Sequence, residues 1–173
     1  MGINTQTLYQ LSTNTWKKIY ETTLTDAATS VTISSLDGNT DEEYRLIIRA
    51  TNSNISDSNI GIRPNNDSGS NYGYQYLYGN DTTIGAARTT FNYFRLGAYF
   101  YRNFSDTLIH AKSGYVRTAI TTYLTKDEST IFIIGTFGQV WNNTADNITS
   151  VVIVSDATNG LGIGTVIELW KKI

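Results

Sequence analysis

The one histidine, His110 in DTLIHAKSGYV, is the natural place to look for chemistry, because a Ser-His-Asp triad needs a base, an orienting acid and a nucleophile in one place. No nucleophile-elbow motif accompanies it, so His110 reads as a strand histidine at a surface or interface. The spacing also offers it no carboxylate co-ligands for zinc. In DGNTDE, Asp37, Asn39 and Asp41 stand at i, i+2 and i+4, like the opening oxygen ligands of a calcium loop. Position six of that template is Glu42 instead of glycine, and position twelve is Ile48 instead of glutamate. DGNTDE therefore reads as an acidic turn. Glycoside hydrolysis needs two carboxyls set across a cleft. The runs Asp127-Glu128 and Asp41 to Glu43 are adjacent residues near turns, as in solvated loops. No catalytic residue, metal or cofactor is expected, and the chain reads as a non-enzyme.

Binding is the other chemistry to weigh. RPNNDSGSNYGYQYLY, residues 63–78, begins as loop and continues as an alternating strand. A regular strand places Tyr72, Tyr74, Tyr76 and Tyr78 on one face. Such a row, beside Asn and Asp, suits stacking on sugar rings, with Tyr74, Tyr76 and Tyr78 as a candidate glycan-contact rim. It equally suits a core or an inter-subunit interface, since tyrosine offers apolar area with a polar tip. The loop half reads as a corner. Pro64 presets φ, Gly69 permits positive φ, and Asn65, Asn66, Asp67 and Ser68 bond to nearby backbone. Arg63 is expected to pair with a carboxylate or to cap carbonyls there.

The elements that must hold these residues are strands. The chain of 173 residues is 40% hydrophobic and 16% charged, with twelve Tyr and abundant Ser, Thr, Asn and Gly. That mixture favours pleated, half-buried segments over helices and excludes disorder. A net charge of −2 without a basic cluster argues against nucleic acid. There is no cysteine, hence no disulfide framework. Apolar runs such as IFIIG and VVIV fall far short of a membrane span, and the N-terminus has no signal-peptide pattern. Six Asn-X-Ser/Thr sequons, at Asn54, Asn66, Asn80, Asn103, Asn142 and Asn147, accord with chance in so Asn-rich a chain.

Strand-like segments recur between Gly, Asn and Asp turns. WKKIYETTL, TSVTISSL and EYRLIIRATN come first, the last with Tyr44, Leu46 and Ile48 facing one way and Arg45, Ile47 and Arg49 the other. LDGNTDEE makes a turn between the second and third, through residues that favour positive φ. TTFNYFRLGAYFY, TLIHAK, YVRTAITTYL, TIFIIGTFGQV, ITSVVIVSD and IGTVIELWKK follow the corner. The sum predicts an all-β, single-domain antiparallel β-sandwich, jelly-roll-like, of about nine or ten strands. Residues 1–15 form a short N-terminal arm and 16–173 the β-sandwich domain.

Three stretches together resemble a known group. WKKIYETTLTDAATSVTISSL, then EYRLIIRATN…IGIRPNNDSGSNY, then TADNITSVVIVSDATNGLGIGTVIELWKK are similar to small β-sandwich or jelly-roll virion proteins of tailed bacteriophages. The shared motifs are structural. The resemblance implies a non-enzymatic protein on the virion exterior, made in the host cytoplasm. It also implies a homotrimer whose partners are the major capsid protein or other virion proteins, with no nucleic acid and no membrane. The short arm before Trp16 and the absence of a fibre shaft favour a capsid decoration or cement protein that bridges subunits. A tail-fibre or tail-tip adhesin for a host glycan or protein is the alternative. On the first reading Trp16, Tyr20 and Tyr72 are apolar anchors, and Phe94 and Tyr99 belong to the trimer interface.

Overall fold

The computed structural model describes residues 15–52, 58–97, 102–126 and 132–173. In chain order these carry β1 (Trp16–Thr23), β2 (Ser30–Ile33), the short helix α1 (Gly38–Asp41), β3 (Glu43–Thr51) and β4 (Ile60–Pro64). Then come β5 (Tyr72–Asn80), β6 (Thr83–Phe91), β7 (Phe94–Gly97), β8 (Arg102–His110) and β9 (Arg117–Lys126). The series closes with β10 (Phe132–Trp141), β11 (Val151–Ser155) and β12 (Val166–Lys172).

Period-two burial builds these strands. In β3 Tyr44, Leu46, Ile48 and Ala50 are buried and the intervening residues are not, which fixes both the pleat and the register. Neighbouring strands are antiparallel throughout. One sheet has eight strands in the order β1-β12-β3-β8-β9-β10-β5-β6, the other four in the order β2-β11-β4-β7. Side chains from both fill one core, including Leu46, Ile48, Ile109 and Leu169 from the large sheet and Ile33, Ile62, Phe94 and Ile153 from the small. Enclosing each such side chain contributes roughly 1.5–3 kcal/mol. The chain is thus an all-β sandwich.

Four of the pairings nest: β1 with β12, β2 with β11, β3 with β8, and β4 with β7. Strands β9, β10, β5 and β6 continue the large sheet beyond β8. The small sheet ends at β7, which packs across β8, β9 and β10. Past it no strand among the described residues faces the large sheet. On the inner side of β6, Ala87 and Thr89 are accordingly exposed.

The described residues alone form twelve strands, where nine or ten were expected. Residues 83–91 form a strand of their own, and the stretch 89–101 breaks at Asn92 and Tyr93, where the chain crosses from the large sheet to the small. LDGNTDEE contains a helical turn capped by the Asp37 carboxylate, which accepts from Thr40 N–H at 3.3 Å. Positive φ falls on Ser35 and Glu42, flanking that turn instead of within it. Glycine is needed at 38 for closeness: an added Cβ would sit 3.0 Å from the Ala111 carbonyl oxygen. Of the expected N-terminal arm only Thr15 belongs to the described residues.

Candidate functional site

The corner that follows β4 is a hydrogen-bonded knot. Its two successive turns are closed by Asn66 N–H to the Arg63 carbonyl at 3.3 Å and Asp67 N–H to the Pro64 carbonyl at 3.0 Å. The residues with positive φ are Asn65 and Asn66, not Gly69. Asn tolerates that region because its short amide finds backbone partners. Here the partners are distant in sequence: Asn65 Oδ1 accepts from Thr149 N–H at 2.8 Å, and its amide donates to the Asn147 carbonyl at 2.7 Å. The Asp67 carboxylate accepts from Gly69 N–H (2.8 Å), the Asn71 amide (3.0 Å) and the Trp141 indole (2.7 Å). Burial opposes its ionisation, but the Asn71, Trp141 and Gly69 donors outweigh that, and its pKa lies below the usual carboxylate value. Arg63 caps the Asn92 carbonyl at 3.1 Å and lies over the Tyr93 ring.

A buried arginine ties down the neighbouring loops. Arg117, fully enclosed and resting on the Trp141 ring, donates to the carbonyls of Lys112 (2.8 Å), Asn143 (2.6 Å) and Asp146. Both knots are built to hold loops in place.

The tyrosine row leads elsewhere. Pairing registers set out the inner face of the projecting sheet in cross-strand rows. Ser105, Tyr123, Gly135, Tyr78 and Gly85 form one, and Thr107, Thr121, Phe137, Tyr76 and Ala87 the next. Beyond the reach of β7 no described strand lies above these rows, and the rings cover the backbone themselves. Tyr123 stacks on Phe137 at 4.6 Å and Tyr76 on Tyr78 at 5.4 Å. Tyr78 lies over Gly85 and Tyr123 over Gly135; an added Cβ would come within 2.5 and 2.6 Å of their phenol oxygens. Burial pushes the Tyr123 phenol up to about 12.

Between these rings opens a pocket of about 210 Å³, lined by Tyr76, Tyr78, Asn80, Arg95, Tyr123, Ile133 and Phe137. Arg95 comes from β7 and is 8% exposed. Its guanidinium donates to the Gly97 carbonyl at 3.3 Å, the Tyr74 hydroxyl at 3.1 Å and the Asn59 amide oxygen. It lies over the Phe91 and Phe137 rings, 5.7 and 5.8 Å from their centroids. No carboxylate among the described residues pairs with it; Asp156 is one side chain away, bonded to Asn59. Ser105 Oγ in the Tyr123 row, and Asn103 Nδ2 and Oδ1 and Thr125 Oγ1 in the next, are buried without a hydrogen-bond partner.

The outer face of the same sheet divides in two. Over β1, β12, β3 and β8 it carries ion pairs: Arg45 with Asp106 at 2.5 Å, Arg49 with Glu168 at 2.9 Å, and Lys172 with Glu43 at 3.0 Å. Beyond, Phe104, Leu124, Ile134, Gly79 and Ile84 lie directly opposite one another across β8, β9, β10, β5 and β6. Phe104 is 41% exposed, Leu124 42%, Ile134 59% and Ile84 89%, with Leu77, Ile120 and Phe132 similarly open beside them. Across the outer faces of β9, β10, β5 and β6 the only charged side chains among the described residues are Lys126 and Arg88.

The residues singled out from sequence fall in different places. Tyr72 and Phe94, expected at an interface, are 1% and 0% exposed and meet edge-to-face at 5.3 Å inside the core, so they have no surface to offer a partner. Tyr74 is buried beneath Arg95, while Tyr76 and Tyr78 are half-buried at the pocket. Trp16 and Tyr20 are half-buried on β1, at an edge of the large sheet. Tyr99 lies outside the described residues, as do Asp127 and Glu128. His110 faces Glu43 at 3.6 Å on the ion-paired part of the outer face. Asp37, Asn39 and Asp41 already accept from Thr40, Ser113 and Tyr44, and Asp41 also pairs with Lys171 at 2.6 Å. Sequence reasoning missed Arg95, Tyr123, Phe137 and Asn80. Only Arg95 carried a hint, as a lone charge within the aromatic run NYFRLG. The chain matches no known family model, no characterised protein and no solved structure.

Proposed function

We propose that this chain works by adhesion, not catalysis, as a structural protein on the exterior of a bacteriophage virion that decorates and cements the capsid. The observation that carries the adhesive part is the apolar row Phe104, Leu124, Ile134 and Ile84 on an otherwise solvated sheet. A contiguous exposed apolar patch with few charges is the composition of an assembly surface. The chemistry suits contact between copies of the chain, as in a trimer, because a nearly uncharged surface meets its own copy without like-charge repulsion. The nested strand pairing supports a jelly-roll reading, in which one long hairpin is rolled into two sheets. The virion setting rests on the sequence resemblance alone. Binding of a rigid oligomer across capsid subunits adds its free energy to the intact shell.

The alternative, a tail adhesin, is favoured by a separate observation, the aromatic pocket at Arg95. Gold-labelled antibody on intact particles of the source, viewed by electron microscopy, separates the two. Label over the head is the expected result. Label at the tail end alone would replace cement by adhesin, and bare particles would remove the virion reading.

A further inference from the structure

We propose that the pocket beside Arg95 is a binding site for an acidic sugar unit, one that carries a carboxylate, such as a uronate or a sialate. This goes beyond the assembly role and stands or falls without it.

A guanidinium has five N–H donors. Three of those of Arg95 are taken by neutral acceptors, and two remain. A buried cation is ordinarily neutralised by a carboxylate. Arg117 shows the structural alternative in this same chain, its guanidinium satisfied by three backbone carbonyls. Arg95 instead lines an opening. Around it the hydroxyls of Tyr76, Tyr78 and Tyr123 have no hydrogen-bond partner among the described residues, and Asn80 adds an amide.

A bland explanation covers part of this. Tyrosines laid over Gly85 and Gly135 simply shield bare backbone. Phenylalanine would shield as well, and it would not place three unpartnered hydroxyls around a cation. Phosphate would use the guanidinium but not the rings, and a neutral sugar would use the rings but leave the charge unmet. A carboxylated sugar ring uses both. Stacking falls to Tyr76 and Tyr78 at the mouth, the carboxylate to Arg95 in the wall, and the ring hydroxyls to Tyr123 and Asn80. A volume of about 210 Å³ suits one sugar unit, not an extended chain.

Saturation-transfer NMR and titration calorimetry on the intact protein test this with glucuronate, N-acetylneuraminate, glucose and galactose as probes. The expected result is millimolar or tighter binding of at least one acid, about tenfold tighter than either neutral sugar, and weaker in high salt. Tyr76→Ala is expected to weaken that binding about tenfold with its melting temperature close to wild type, because Tyr76 is half-buried at the mouth. Arg95→Lys, if it folds, is expected to erode the preference for acid over neutral sugar. Failure of both acids to bind, equal binding of acid and neutral sugar, or a folded Tyr76→Ala protein with unchanged affinity would each overturn the proposal. Capsid labelling leaves this result untouched, so the two readings fail separately.

Discussion

The indole N–H of Trp141 donates to the Asp67 carboxylate at 2.7 Å, joining the end of β10 to the corner that follows β4. The Tyr72 hydroxyl donates to the Asp67 carbonyl at 2.9 Å from the other side, and its ring lies parallel to the indole at 6.3 Å. A loop that reads as solvent-facing by composition is therefore pinned to the largest side chain of the core.

Asp67→Asn is expected to lower stability at neutral pH by about 1–3 kcal/mol, because all three donors lose a charged acceptor and at least one of them meets an NH2 group instead of an oxygen. The pKa of Asp67 is lowered on folding, so its contribution is present above the unfolded carboxylate value of roughly 3.9 and is lost as pH falls through the folded value. Urea melts at pH 7 and pH 3 should thus differ less for the variant than for the wild type. An equal pH dependence would mean that Asp67 gains nothing from its three donors.

Arg117→Lys should cost about 2–4 kcal/mol, since one ammonium cannot serve three diverging carbonyls and the stacked plane over Trp141 is lost. Thermal melting reads this directly. A change below about 0.5 kcal/mol would show that water replaces the guanidinium without penalty.

On the outer face, Ile134→Lys and Leu124→Lys are expected to shift an oligomer toward monomer in sedimentation, with stability within about 0.5 kcal/mol of wild type. A monomer at every concentration before substitution would remove self-association from the proposed role.

Thr125→Val keeps the side-chain shape and removes a buried hydroxyl that has no partner. Stability should rise by about 1 kcal/mol, measured by denaturant midpoint. A fall of that size would point to an internal water held jointly by Asn103, Ser105 and Thr125.

The fold was readable where burial alternates. β3 declares itself in Tyr44, Leu46 and Ile48, and β9 in a Thr-rich alternation. β6 did not, because most of its side chains are exposed and its Gly-Ala-Ala segment has no pattern of its own; pairing to β5 makes it a strand. The break at Asn92 and Tyr93 was hidden for the opposite reason, since the aromatics run on through a change of sheet. At the corner, glycine was the obvious candidate for positive φ, yet Asn65 takes it because its amide also secures residues 147–149. The tyrosine row was legible as a face but not as a pocket. That required Arg95 and Tyr123, whose strands are assembled by long-range pairing.

The pairing of β1 with β12 has a consequence for synthesis. Every Cα partner of the first strand, from Trp16 opposite Lys172 to Thr23 opposite Val166, belongs to the last. A ribosome that has reached residue 165 has long since released β1, but has not yet made the strand that pairs with it among the described residues. Until translation of β12 is finished, both β1 and the outward edge of β3 remain open to pairing with other nascent chains. A protein wound in this way is expected to complete its large sheet only after β12 has left the ribosome, and to need cover for those edges until then.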